Sequence, residues 1–288
     1  MTQADVQALA NSQAVDASVY YANPSEEPLF WRQYPPAPGE TETNIAFVEH
    51  CVRIGDARRS TSPFRLDVEG ATFGRRRSAV RDFYDEEELL RVGYAEAADI
   101  AKTASGASQV FVFDHNLRRG CESAYLGQSG IQKPVFHVHT DFSAKSAAIR
   151  LKSFAQESAA ATARAVLSAA SASGRRFAVL NVWRPIVGPI KDSPLAICDA
   201  ASSQSDLLPA ALLYPERQGE IYYVKFNAAH RWWYLPDMQA EEVWIFKNYD
   251  SAGDAGRARF TPHTAFIEST DANIAPRQSV EFRTFAIF

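Results

Sequence analysis

The sequence predicts a mainly β fold with flanking helices, closing as a jelly roll or related double-sheet barrel. Three observations carry this. Beyond residue 176 the chain is a run of short segments crowded with Trp, Tyr, Phe, Val and Ile, several of them separated by Pro or Gly. One long Ala-rich stretch, about 143–173, stands before that run as a helical insert. The chain has 288 residues, 46% of them apolar, enough to bury a large core without disulfides.

The elements follow in chain order. Residues 1–60 are polar and Pro-rich, with Pro24, Pro28, Pro35, Pro36 and Pro38, and are expected to form an arm or covering segment with one short strand at Ser18–Tyr21. Residues 61–288 are expected to form the main barrel domain, with the helical insert inside it. Phe64–Val68, a break at Gly70, then Thr72 and Phe73 predict a hairpin. Asp85 and Glu88 predict a helix start, and Gly106 its end. Gln109–Phe113 predicts a strand, followed by a loop through Gly120, Gly127 and Gly130. Ser143 can cap the Ala-rich helical stretch, which is ended by Gly174 and has a possible break near Phe154. The later strands are expected at Phe177–Trp183, Leu195–Cys198, Ile221–Phe226, Arg231–Leu235, Val243–Phe246, Arg259–Phe266 and Val280–Phe288.

Composition excludes several classes. A net charge of −4 disfavours nucleic-acid and anionic-membrane partners, and Arg75–Arg77 reads as a solvated edge. No run of about 18 apolar residues exists to span a membrane. Met1–Asp5 lacks the pattern of a secretory signal. Cys51, Cys121 and Cys198 are scattered, which predicts reduced thiols and a cytoplasmic protein. Tyr20, Tyr21, Phe30 and Trp31 offer either a homodimer contact or a lid folded back on the barrel.

The chemistry centres on His139-Thr140-Asp141. On an extended strand an imidazole and a carboxylate two residues apart share one face. With one distant histidine they make the 2-His-1-carboxylate set of non-heme Fe(II) oxygenases, which leaves positions open for a co-substrate and O₂. His263, on a late strand, is preferred over His230 as that third ligand. Arg277-Gln278-Ser279 follows fourteen residues later. A guanidinium and a hydroxyl on one strand face suit the distal carboxylate of 2-oxoglutarate. Alternation carries on through Glu281 to Arg283, which is a rival anchor. His137 is read as a support of the site and His115 as structural. Trp183 and Arg184 are candidate substrate-binding residues for a small molecule, Lys247 and Asp250 a structural pair, and Trp232–Tyr234 mainly packing.

These residues also resemble a known family. Phe113-Asp114-His115 with Arg118, Val138-His139-Thr140-Asp141, Asn181-Val182-Trp183-Arg184-Pro185, Lys247-Asn248-Tyr249-Asp250-Ser251 and Pro262-His263-Thr264 are similar to the Fe(II)/2-oxoglutarate-dependent oxygenases of secondary metabolism that include the gibberellin desaturase and relate to the cephamycin methoxylation proteins. The resemblance begins near residue 64. It implies a double-stranded β-helix (a cupin-like jelly roll), iron at His139, Asp141 and His263, 2-oxoglutarate held near Arg277, and hydroxylation or desaturation of a natural product. Two other readings stay open at this point: an iron enzyme on the same barrel that does not use 2-oxoglutarate, and a non-catalytic ligand-binding barrel.

Overall fold

The structure is a computed structural model that describes residues 14–120, 130–254, 256–268, 271 and 273–288. Cys121, Gly127 and the Met1–Asp5 stretch lie outside those residues. The described strands form two facing sheets, as the late run of short aromatic segments predicts. One sheet has nine strands in the order β1-β3-β11-β8-β13-β6-β10-β9-β2, and the other has five in the order β4-β12-β7-β14-β5. In chain order they are β1 (Val15–Ala22), β2 (Leu29–Arg32), β3 (Phe47–Asp56), β4 (Ala71–Arg75), β5 (Gln109–Arg119), β6 (His139–Thr140), β7 (Phe177–Pro185), β8 (Leu195–Cys198), β9 (Leu207–Leu213), β10 (Gln218–Val224), β11 (Trp232–Tyr234), β12 (Glu242–Asp250), β13 (His263–Ala265) and β14 (Gln278–Ile287).

Strand alternation divides the five-stranded sheet into two faces. Leu180, Val182, Val280, Phe282 and Ile245 point outward and are covered by Leu89, Ala97, Ile100 and Ala101 of the first helical region. That region starts at Asp85, whose carboxylate accepts from the Glu87 and Glu88 amides. It passes through a π-turn at Leu89–Gly93 into α1 (Tyr94–Ser105) and ends at Gly106 in the left-handed conformation, φ 69°. The inward face carries Trp183, Trp244 and Phe246, which meet Leu195 and Ile197 of the other sheet. The Ala-rich insert is two helices, α2 (Ala144–Glu157) and α3 (Ala161–Ser173). Ser143 caps α2 through a reciprocal bond pair with Ser146, and Leu151 and Leu167 pack on Phe177, Val179 and Phe285. The helices break after Glu157 rather than near Phe154, because Phe154 packs with the α2 core while Ser158–Ala160 turn the chain.

Several expectations are corrected. The stretch expected as an arm with one short strand gives β1, β2 and β3, and β3 sits inside the large sheet between β1 and β11. Its prolines fall in the connections, where no ladder bond is lost. The hairpin over 64–73 is absent: Arg65–Glu69 is a turn, and β4 pairs instead with β12. Gly70 there has φ 80°, and a Cβ at that position would collide with Thr261 Oγ1. β5 runs on through Asp114–Arg119, because β14 pairs with it along its whole length. β9 was not expected from Leu-Leu-Pro-Ala-Ala-Leu-Leu, a weak strand pattern held in place by β10 on one side and β2 on the other.

Lys247 is a structural ion, as its pairing with Asp250 suggested. Its ammonium is buried and donates to Asp250 Oδ2 (2.7 Å), Asp67 Oδ1 (2.6 Å) and the Ala258 carbonyl (3.2 Å). Lys247→Met strands part of the Asp250 charge on Arg176 alone. Because breaking a buried pair costs about 3 kcal/mol, chemical denaturation should register a loss near that size.

Candidate active site

Cross-strand register builds the centre of the barrel. His139 on β6 lies directly opposite His263 on β13, so their rings meet at a centroid distance of 4.5 Å. Asp141 follows in the bend after β6, and its Oδ1 lies 3.6 Å from His139 Nε2. One ligand atom from each of His139, Asp141 and His263 falls within 4.8 Å of the others, a set that could hold a metal ion. All three residues named from the sequence are therefore brought together, although β6 is only two residues long and the bend, not an extended strand, aims Asp141.

The surrounding atoms fix which lone pairs face the centre. His139 Nδ1 bonds the His137 carbonyl at 2.7 Å, and His263 Nδ1 bonds the Thr261 carbonyl at 3.2 Å. Each Nε2 is left to face inward. Thr261 is itself tied by its hydroxyl to the Gly70 carbonyl, 2.9 Å. Burial pushes the His263 imidazole down to about 3, so it is neutral at physiological pH, as a ligand must be. Asp141 Oδ2 accepts from Asn181 Nδ2 (2.8 Å), Asn248 Nδ2 (3.1 Å) and Arg283 Nε (3.2 Å). The Asp141 amide donates to Asn248 Oδ1 at 2.8 Å. Burial alone would raise the Asp141 carboxyl, but the Arg283 guanidinium together with His139 and His263 outweighs it and holds the group well below the usual carboxylate range.

Asn248 reaches Asp141 because strand alternation along β12 puts it on the same inward face as Trp244 and Phe246, where a bulge between Lys247 and Tyr249 leaves it without a cross-strand partner on β7. Neither Asn181 nor Asn248 had a role from sequence; both stood inside the two most specific strings, which was the available signal. Arg283, the rival anchor, is occupied: it bonds Asp141 and Asp114 and lies 3.4 Å from Glu281 Oε1.

Beside the three residues is a small recess lined by Trp183, Leu195, Arg277 and Glu281 among others. Arg277 is 3% exposed and donates from Nη1 to the Ser193 carbonyl. Its Nε and the buried Ser279 hydroxyl have no hydrogen-bond partner. Burial pushes the Arg277 guanidinium down to about 9, as expected of a cation short of a counter-charge. Its Cζ lies 5.5 Å from the Trp183 ring, so Trp183 is a wall of this recess. A carboxylate is the group that these orphaned donors fit.

Arg184, the other substrate-binding candidate, faces away from this recess. Alternation along β7 sends it to the face opposite Trp183, where Nη2 donates to the Arg76 (2.9 Å) and Ala240 (2.6 Å) carbonyls. His230 stands outside the cluster, and its ring nitrogens bond Tyr21 Oη (3.0 Å) and Asp206 Oδ2 (3.2 Å). His115 is held by Tyr94 under α1. Trp232 and Tyr234 are buried packing residues.

A second, larger cavity of about 1610 Å³ opens onto His139 and Asp141. Its walls include Trp31, Phe113, Phe142, His137 and Tyr223. Trp31 comes from β2, and Phe47 of β3 stacks on His137 at 3.7 Å. Tyr21 is buried and bonded to Trp232. The N-terminal aromatics thus fold back on the barrel rather than forming an exposed patch. Among the described residues no helix is long and apolar enough to cross a membrane.

Comparison with known proteins agrees with this geometry. A family model described as an oxidoreductase/YMDC permease-like domain matches residues 19–287. The chain is 30% identical over 249 residues to the alpha-ketoglutarate-dependent dioxygenase phiK of a fungal species (strain ATCC 74256), covering 82% of this chain and 83% of that protein. It is 29% identical over 265 residues to the hydroxylase/desaturase efuI of Hormonema carpetanum, covering 84% of each. Among solved structures, the iron and alpha-ketoglutarate-dependent endoperoxidase NvfI superposes with a TM-score of 0.80 at 28% identity, over 95% of this chain and 98% of that one. The fold is accordingly the jelly roll of these enzymes, and the chain belongs to the Fe(II)/2-oxoglutarate-dependent dioxygenases, in the branch that contains the fungal hydroxylase/desaturases of secondary metabolism.

Proposed function

We propose that His139, Asp141 and His263 hold the Fe(II), that Arg277 and Ser279 hold the distal carboxylate of 2-oxoglutarate, and that the large cavity takes a small natural product for hydroxylation or desaturation. The carrying observation is the convergence of two free imidazole Nε2 atoms and one carboxylate oxygen, with their other polar atoms tied to protein. When bound, the metal and 2-oxoglutarate supply the oxidising power that breaks an unactivated C–H bond with O₂.

The residues of the chain do the positioning. Two backbone carbonyls lock the imidazole tautomers. Asn181, Asn248 and Arg283 keep Asp141 ionised and stop its Oδ2 from turning inward. Arg277 and Ser279 fix one end of the co-substrate, which leaves the keto-acid end for the centre. Trp31, Phe113 and Phe142 offer apolar walls to the carbon skeleton of the substrate and shield the site from water. The free thiols of Cys51 and Cys198 support a cytoplasmic setting.

The test is slow turnover without organic substrate. Protein loaded with Fe(II) and supplied with 2-oxoglutarate and O₂ should form succinate, measured by chromatography, and a chelator should stop it. Succinate formation that survives removal of iron would sink this reading.

A further inference from the structure

We propose that Arg118 is a second co-substrate-binding residue, its guanidinium taking a carboxylate oxygen of 2-oxoglutarate alongside Arg277. The proposal rests on the reading of the recess as the 2-oxoglutarate site. Register places Arg118 directly opposite Ser279 across the β5–β14 pair, so the two side chains share the inward face. Arg118 and Arg277 line the same recess as His139, Asp141 and His263. Arg118 also lines the large cavity, and the residues common to both spaces are Arg118, Val135, His139 and Asp141. It is therefore the one cation, among the described residues, at the neck between them.

Its bonding is incomplete for that position. Among the described residues its guanidinium makes one hydrogen bond, from Nη1 to the Lys133 carbonyl at 2.7 Å. That bond sets the direction of the fork and leaves other N–H groups for a ligand. Burial lowers its pKa, and its charge in turn lowers that of Arg277. Glu281 and Asp141 face Arg118 from the same recess, and both carboxylates are shared with Arg283, 3.4 and 3.2 Å away. Two guanidinium groups with unfilled N–H donors beside one recess suit an added anion, and 2-oxoglutarate brings two carboxylates. A carboxylate on the organic substrate has the same chemistry. The position opposite Ser279 and beside Arg277 favours the co-substrate.

The test titrates 2-oxoglutarate anaerobically into Fe(II)-loaded wild type, Arg118→Leu and Arg118→Lys, followed by calorimetry, with thermal melting to check folding. Arg118→Leu should raise the Kd about tenfold or more, the size expected from losing one charge-assisted hydrogen bond. Arg118→Lys, which keeps the charge and the stem, should recover part of the loss and serves if the leucine variant does not fold. Pyruvate, titrated in parallel, locates the contact. An equal loss for pyruvate puts Arg118 at the keto-acid end, and a loss for 2-oxoglutarate alone puts it at the distal carboxylate. Unchanged 2-oxoglutarate affinity in a folded Arg118 variant, with Arg277→Leu still weakened, overturns the proposal alone and turns attention to a substrate carboxylate. Wild type that binds iron but no 2-oxoglutarate overturns the underlying reading.

Discussion

Asp141→Ala should bind no Fe(II) at micromolar metal and form no succinate above background. The carboxylate is the one anionic member of the proposed ligand set, and without it two neutral imidazoles remain. The loss should exceed the ~10–100-fold that removal of an outer partner of a metal ligand costs. The variant should also melt earlier than wild type. Arg283 Nε and the side-chain amides of Asn181 and Asn248 all lose their shared acceptor, at roughly 1–3 kcal/mol for each buried donor left unmet. Metal content after anaerobic reconstitution, together with a melting curve, separates the two effects. Iron retained at wild-type stoichiometry would remove Asp141 from the ligand set.

Arg277→Leu should behave in the opposite sense on stability. The arginine is almost wholly buried with its Nε unpartnered, so an apolar side chain of similar reach leaves the fold intact or slightly firmer. Binding of 2-oxoglutarate should nevertheless collapse. Loss of one partner of a buried charge pair costs about 2–5 kcal/mol, or roughly 30-fold to several thousand-fold in Kd. Calorimetric titration of the iron-loaded variant measures it. Wild-type affinity would show that the distal carboxylate sits elsewhere, and since Arg283 is already engaged by Asp141 and Asp114, Arg118 would then be the remaining anchor.

The site was more legible in the sequence than the framework around it. A His-x-Asp, a late His and an Arg-x-Ser are local patterns whose side chains need only common strand geometry to converge. The cross-strand pairing of His139 with His263 then supplied the closeness. What holds Asp141 was not legible, because its partners Asn181, Asn248 and Arg283 come from three strands whose order and register no local window contains. Arg184 was paired with Trp183 as a substrate-binding candidate, yet neighbours on a strand face opposite ways, and Trp183 is the one that faces the centre. The N-terminal strands were hidden because β1, β2 and β3 draw their stability from partners far along the chain. β3 pairs with β11 and β2 with β9, contacts that no local window contains. Of the aromatics named there (Tyr20, Tyr21, Phe30 and Trp31), Trp31 becomes cavity wall in the fold, and Phe47, not singled out from sequence, packs on His137.

The central claim is that three side chains hold iron so that 2-oxoglutarate can chelate it. Its most direct test is an anaerobic titration of Fe(II) and 2-oxoglutarate into the apo-protein, followed in the visible region. The account predicts a weak metal-to-ligand charge-transfer band that needs both ligands and is absent in His263→Ala. A band that persists in His263→Ala, or none at all in folded protein that binds iron, would contradict it.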